Sequence, residues 1–330
     1  MGDTRFNNIN ILFLFVCIIF LGFVSSFEGG DGTSGSPYQI GNCTQLQSMS
    51  DNLTASYILN NDINCSETST WNSGAGFVPV GTGSSFTGDF DGKGYTISEL
   101  YINRAGTSNQ GLFSYINSAQ VVNVTLLDVY VSGLHNAGGI AGSARNSGAR
   151  IEDVHVSGTI IGGANQAGGL TGYIENYAYV YNSSFIGDVS QSTTSLQYNY
   201  GGLIGLVRKY GKVYNSYSMG TVYAPKSDRV GGFAGHNDEY SGPAYIYNSY
   251  SMSDATGRDY VGGFVGLNEY SYIGNSYSTG NARAIGSSDR GTSVGAFIGN
   301  RVSNGDWRKD VGSMYDMDSS RVMRNHGDAV

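Results

Sequence analysis

The sequence predicts an all-β fold, a parallel β-helix (β-solenoid) whose short strands wind into coils of roughly 30 residues. Three observations predict it. A two-part motif returns every 28 to 33 residues or so, the period of a solenoid or an array. Within each copy, residues of like character alternate with period two over short runs. Those runs end at glycines, which number 50 of 330 while proline numbers 4, and Tyr, Ser, Asn, Thr, Val and Ile outweigh the good helix formers.

The first half of the motif is Gly231-Gly232-Phe233-Ala234-Gly235, repeated from Gly138, Gly168, Gly201 and Gly262 and in weaker form from Gln110 and Gly295. The second half is Tyr245-Ile246-Tyr247-Asn248-Ser249-Tyr250-Ser251, matched at Val213–Ser218 and Ile273–Ser278 and less closely at Val121, Ile151 and Val180. Aligned on Asn123, Asp153, Asn182, Asn215, Asn248 and Asn275, the residue two places earlier is always β-branched and must face the core. The Asn column itself is expected to form an internal amide ladder at a turn. One place later, Val124 and Val154 give way to Ser183, Ser216, Ser249 and Ser276, hydroxyls that need partners inside. The double glycines are expected to turn the chain with positive φ and to let backbones approach closely. A phosphate-cradling loop is excluded there, because neither the Lys nor the following helix is present.

Taken in order, residues 1–26 read as a secretory signal peptide, with Arg5 ahead of an apolar run from Ile11 to Val24 and small residues at Ser25 and Ser26. Residues 27–37 are rich in Gly, Ser and Asp and read as a linker. Residues 38–100 read as an N-terminal cap with the first coil or coils. Loss of the signal segment leaves Cys43 and Cys65, an even pair expected to form a disulfide worth about 3 kcal/mol in the loop-entropy model. Asp89 and Asp91 read as turn caps. Residues 101–300 carry the repeats, and 301–330 read as a closing cap and tail. Sequons at Asn42, Asn52, Asn64, Asn123 and Asn182 are possible N-glycosylation sites if the host modifies exported proteins. The charge of −8 and the absence of a Lys/Arg run exclude nucleic acid as a partner, and no membrane span remains once the signal is cleaved.

Together the two half-motifs resemble the GLUG repeat of large exported and surface-attached proteins of bacteria and archaea, over roughly residues 110–300. The stretch Phe90-Asp91-Gly92-Lys93-Gly94-Tyr95-Thr96-Ile97 resembles the segment that commonly precedes such repeats. The resemblance implies a right-handed parallel β-helix and an adhesin-like or cell-envelope role. Some immunoglobulin-cleaving metalloproteases carry similar repeats ahead of a zinc protease domain. Here His135, His155, His236 and His326 form no His-Glu-x-x-His, so the resemblance extends to the scaffold and not to proteolysis.

Two groups of residues are candidates for function. A charged edge follows each double glycine, and stacking is expected to set Glu175, Arg208 and Asp238 in one column and Lys209, Glu239 and Glu269 in the next. Glu239 and Glu269, one coil apart, would have the spacing of a retaining glycosidase's carboxylates, or would share a cation. The broader expectation is an exposed salt-bridge ladder, with no catalytic residue, no metal site and no cofactor. The second group is aromatic. Tyr177, Tyr210, Tyr240 and Tyr270 follow the charged edge, while Tyr217, Tyr250 and Tyr277 should face outward and offer flat amphipathic surface. The expectation is a secreted or cell-surface, non-enzymatic β-solenoid that binds an extracellular glycan or surface protein. The alternative is a carbohydrate-active β-helix, a polysaccharide lyase or glycoside hydrolase.

Overall fold

The computed structural model describes residues 27–286 and 293–302 and the strands Met314–Tyr315 and Val322–Arg324. The expected signal peptide and most of the expected tail lie outside these residues. The chain is a β-solenoid of about eight turns, and its neighbouring coils pair in parallel. One coil shows the plan. The strand Ala234–Asp238 leads through a loop to Tyr245–Tyr247, and after a turn at Asn248 the long strand Tyr250–Gly262 returns the chain to the next coil. Equivalents of Ala234–Asp238 form a seven-stranded sheet, and the remaining strands form a larger sheet that bends around the other sides.

Stacking like on like builds the core. Val121, Ile151, Val180, Val213, Ile246 and Ile273 sit in one buried file, each in register with the next. Phe233, Phe264 and Phe297 stack at 4.6 and 4.9 Å in another. Where the core turns polar, the serines satisfy themselves. Ser183, Ser216, Ser249 and Ser276 each donate to the carbonyl two residues back at 2.8 Å. Each also accepts an N–H from the preceding coil at 3.1–3.2 Å. A continuous hydrogen-bonded file thus replaces apolar packing without leaving a donor orphaned.

Two expectations about the repeat change. The Asn column does form a ladder, with Asn248 donating to Asn215 and Asn275 to Asn248 at 3.2 Å, but Asn215, Asn248 and Asn275 lie on the surface. Their φ angles of 49–52° explain the residue type, since Asn tolerates the left-handed region. The double glycines are not the positive-φ residues. That role falls two places earlier, on Asn199, Arg229 and Tyr260. Gly231 and Gly232 are needed for close approach instead, because a Cβ would stand 2.0 Å from the Ala234 carbonyl and 2.2 Å from that of Gly263.

The N-terminal cap holds the helix Cys43–Ser48, with Asn42 accepting the Gln45 N–H, and the Cys43–Cys65 disulfide forms as expected. Residues 27–37 are not a linker. Phe27 stacks on Tyr38 at 4.5 Å, the Glu28 N–H donates to the Gln39 carbonyl and the Gln39 N–H to the Gly29 carbonyl, and the Ser56 N–H donates to the Gly32 carbonyl, so the segment closes the first coil. Asp91 caps its turn as expected, accepting from the Lys93 backbone and from Asn123. Among the sequons, Asn64, Asn123 and Asn182 already donate their amides to Glu99, Asp91 and Asp153.

Replacing Ser216 with Ala strips the Ser183 N–H of its acceptor inside the core. Chemical denaturation should show a loss of about 1–3 kcal/mol, well beyond the effect of an exposed Ser→Ala change.

Candidate functional site

The seven-stranded sheet carries the functional candidates at its edge. In each of its strands alternate residues share a face, so Tyr173, Leu206, His236 and Leu267 form a file on the side away from the core. Two residues on, Arg145, Glu175, Arg208, Asp238 and Glu269 form the next file. The expected register is therefore corrected at its last step. Glu269 stacks on Asp238, and Glu239 belongs to the loop beyond. The spacing along the strand is constant: Gly201, Gly231 and Gly262 lie seven residues before Arg208, Asp238 and Glu269, so Glu269 falls in their column and Glu239 one place past the strand end.

At the upper coils the charged file alternates in sign, and Glu175 is its hub. Arg145 and Arg208 each reach its carboxylate at 3.4 Å, and the Tyr173 hydroxyl donates to it at 2.5 Å. Burial and that bond together push the Tyr173 hydroxyl pKa well up. The two guanidiniums lie over the Tyr173 ring at 5.0 and 5.1 Å, so the ensemble is closed on itself.

One step further the alternation fails. Asp238 and Glu269 are adjacent carboxylates, and beside them lies a recess of about 610 Å³ lined by Tyr210, Tyr240, Tyr270, Asp238, Glu239 and Glu269. The expected Tyr column is thus split. Tyr177 stacks on Tyr210 at 4.7 Å and Gly242 lies close against the Tyr210 ring, while Tyr240 lies over the Arg208 guanidinium at 4.8 Å and is 61% exposed. Tyr217, Tyr250 and Tyr277 form a separate ladder with rings 5.0 and 5.1 Å apart. The rings cover one another's faces, so Tyr217 and Tyr250 are half-buried and Tyr277 alone is exposed. Beside that ladder, Ile186, Met219 and Met252 stand exposed in register, an apolar file that period-two alternation hides because it mixes residue types.

His236 was not singled out by its motif, yet it lies beneath the recess. Its side chain is 4% exposed, and its Nε2 stands 3.2 Å from the Glu269 carboxylate. Burial lowers the imidazole pKa and outweighs the nearby carboxylates, while Arg229 lowers it further. The hydrogen bond from His236 holds Glu269 below its ordinary range. A general acid needs the opposite shift, so Glu269 is unsuited to protonating a leaving group. The arrangement suits binding: rings to pack on an apolar face, and carboxylates to accept hydrogen bonds from hydroxyls or to face a cation.

Comparison with known proteins bears on the repeat and the fold. Residues 43–158 match the family model of the N-terminal region of M26 immunoglobulin A1-specific metallo-endopeptidases. Halomucin of Haloquadratum walsbyi is 39% identical over 165 residues, which is 47% of this chain and 2% of that protein. An immunoglobulin A1 protease of Streptococcus sanguinis is 32% identical over 155 residues, 47% of this chain and 8% of the protease. The chain therefore spans only a small part of these relatives. A solved structure from Bacteroides ovatus, provisionally named an immunoglobulin A1 protease, superposes with a TM-score of 0.64 over 88% of this chain and 87% of that one, at 21% identity, and shares the fold. The resemblance to repeats that accompany immunoglobulin proteases thus holds, and it concerns their N-terminal region rather than a catalytic domain. Among the described residues, no helix is long and apolar enough to cross a membrane.

A pH dependence follows from His236. Its folded pKa is depressed, so the unfolded chain takes up a proton below about 6.5 that the folded chain refuses. Stability is full above that value and falls as pH drops through it. Thermal melts from pH 7.5 to 5.5 should show a falling Tm, and His236→Leu, with Arg229, Asp238 and Glu269 left in place, should flatten the fall.

Proposed function

We propose that the chain is a non-enzymatic, surface-presented β-solenoid, an adhesin or envelope module, which holds an extracellular glycan or surface protein against its tyrosines. The recess between Tyr210, Tyr240 and Tyr270 and the acids Asp238, Glu239 and Glu269 carries this reading. Tyrosine offers an amphipathic face to the C–H side of a sugar, and carboxylates accept from its hydroxyls. The rigid register fixes both before a ligand arrives, which lowers the ordering cost of binding. The Tyr217, Tyr250 and Tyr277 ladder, with Met219 and Met252 alongside, is a second platform. Kinship with halomucin and with the N-terminal region of immunoglobulin A1 proteases supports an extracellular setting.

The purified chain should capture a subset of a glycan array, or immunoglobulin A1 assayed in parallel, and release no reducing ends from polysaccharides. Tyr240→Ser should weaken capture about tenfold with unchanged melting. Replacing Tyr217, Tyr250 and Tyr277 together with Ser tests the second platform in the same assay. Capture unaffected by both variants would remove the binding reading, and catalytic release of sugar ends would favour the carbohydrate-active enzyme.

A further inference from the structure

We propose that His236, Asp238 and Glu269 form a binding site for a divalent transition-metal ion, zinc being the reference case. One ligand atom from each lies within 4.8 Å of the other two. His236 Nε2 and Glu269 Oε2 are already 3.2 Å apart, close to the separation of about 3.3 Å between two ligands of a tetrahedral ion with bonds of 2.0–2.1 Å. Asp238 lies two residues along the same strand face from His236 and in direct register with Glu269, so rotation of its carboxylate completes the set. The imidazole stays neutral on binding; its single proton moves from Nε2 to Nδ1 and the freed lone pair takes the metal.

Two further observations point to a cation. His236 interrupts a file that reads Leu206 before it and Leu267 after it, and the interruption falls at the coil where the charged file loses its alternation. Elsewhere Arg145, Glu175 and Arg208 neutralise one another, whereas Asp238 and Glu269 place like charges on neighbouring strands, a destabilising pair unless a positive charge joins them. Arg229 supplies part of that charge. It acts on both His236 and Glu269 while its guanidinium lies over Tyr198 at 5.4 Å. One nitrogen and two carboxylates suit zinc and its first-row neighbours, whereas calcium and magnesium prefer oxygen ligands alone. The two carboxylates also line the recess, which leaves an open coordination position facing any bound hydroxyl or carboxylate. The site needs no glycan in order to form.

The test uses tag-free chain stripped with a chelator, then titrated with zinc by calorimetry and with cobalt by visible absorption. One equivalent of zinc should bind, and cobalt should give the d–d bands of a mixed nitrogen and oxygen site. His236→Leu, which installs the residue of the adjoining coils and should fold normally, is expected to weaken binding by about a hundredfold or more and to erase those bands. Asp238→Asn and Glu269→Gln should each weaken it about tenfold, and Arg229→Asn, a residue suited to its positive φ, should tighten it. No saturable zinc binding, or stoichiometric binding unchanged in folded His236→Leu, would overturn the proposal. Zinc binding without capture of any glycan or protein supports the metal site and removes the binding reading above; capture without zinc binding does the reverse.

Discussion

Parallel hydrogen bonding between successive coils is the constraint on which everything else depends. Each residue of a strand has one partner in the coil before and one in the coil after, as Val213 has Val180 and Ile246. Side chains must therefore tolerate their own kind at a distance of about 4.8 Å. Apolar residues meet that demand by packing, Asn by amide ladders, Ser by bonds to the coil's own carbonyls, and Tyr by ring stacking. Charges meet it by alternating or by recruiting partners: Asp228 and Asp259 stand in register and are met by Arg258 and by backbone N–H groups, whereas the acidic pair Asp238 and Glu269 meets the buried His236.

Much of this fold was legible because stacking copies one coil's solution into the next. The inward files and the serine file could be read from the columns alone, and the disulfide from the pair of cysteines left after the expected signal segment. What could not be read was fixed by local backbone geometry. The exposure of Asn248 depends on which side of the chain a left-handed turn leaves the amide, and a pattern of letters does not carry that. The role of Gly232 was ambiguous for the same reason: glycine serves positive φ and close approach equally well, and only the Gly263 carbonyl decides between them. The cap hairpin at residues 27–37 was hidden by its composition, since a Gly- and Ser-rich segment looks unstructured until Phe27 is seen against Tyr38 and Tyr57.

The candidate site was half legible. Glu269, Tyr210, Tyr240 and Tyr270 were marked by their edge position, and all four line the recess. Glu239 lines it too, but from a loop, and its expected partnership with Glu269 passes to Asp238. Asp238 was placed correctly with Glu175 and Arg208, and Glu269 was set one position off although it lies seven residues after Gly262, as Asp238 does after Gly231. His236 was missed since a single histidine among repeats has no column of its own; the signal that finds it is the leucine on either side.

The serine and asparagine files lie along the solenoid axis, as do the backbone bonds between coils, whereas the Cys43–Cys65 bond closes within the N-terminal cap and the structure shows no covalent tie between later coils among the described residues. Tension applied along that axis would load the bonds end-on and one layer at a time. The molecule would then yield coil by coil, each released coil paying out about 30 residues of slack, and behave as an extensible tether rather than a brittle rod.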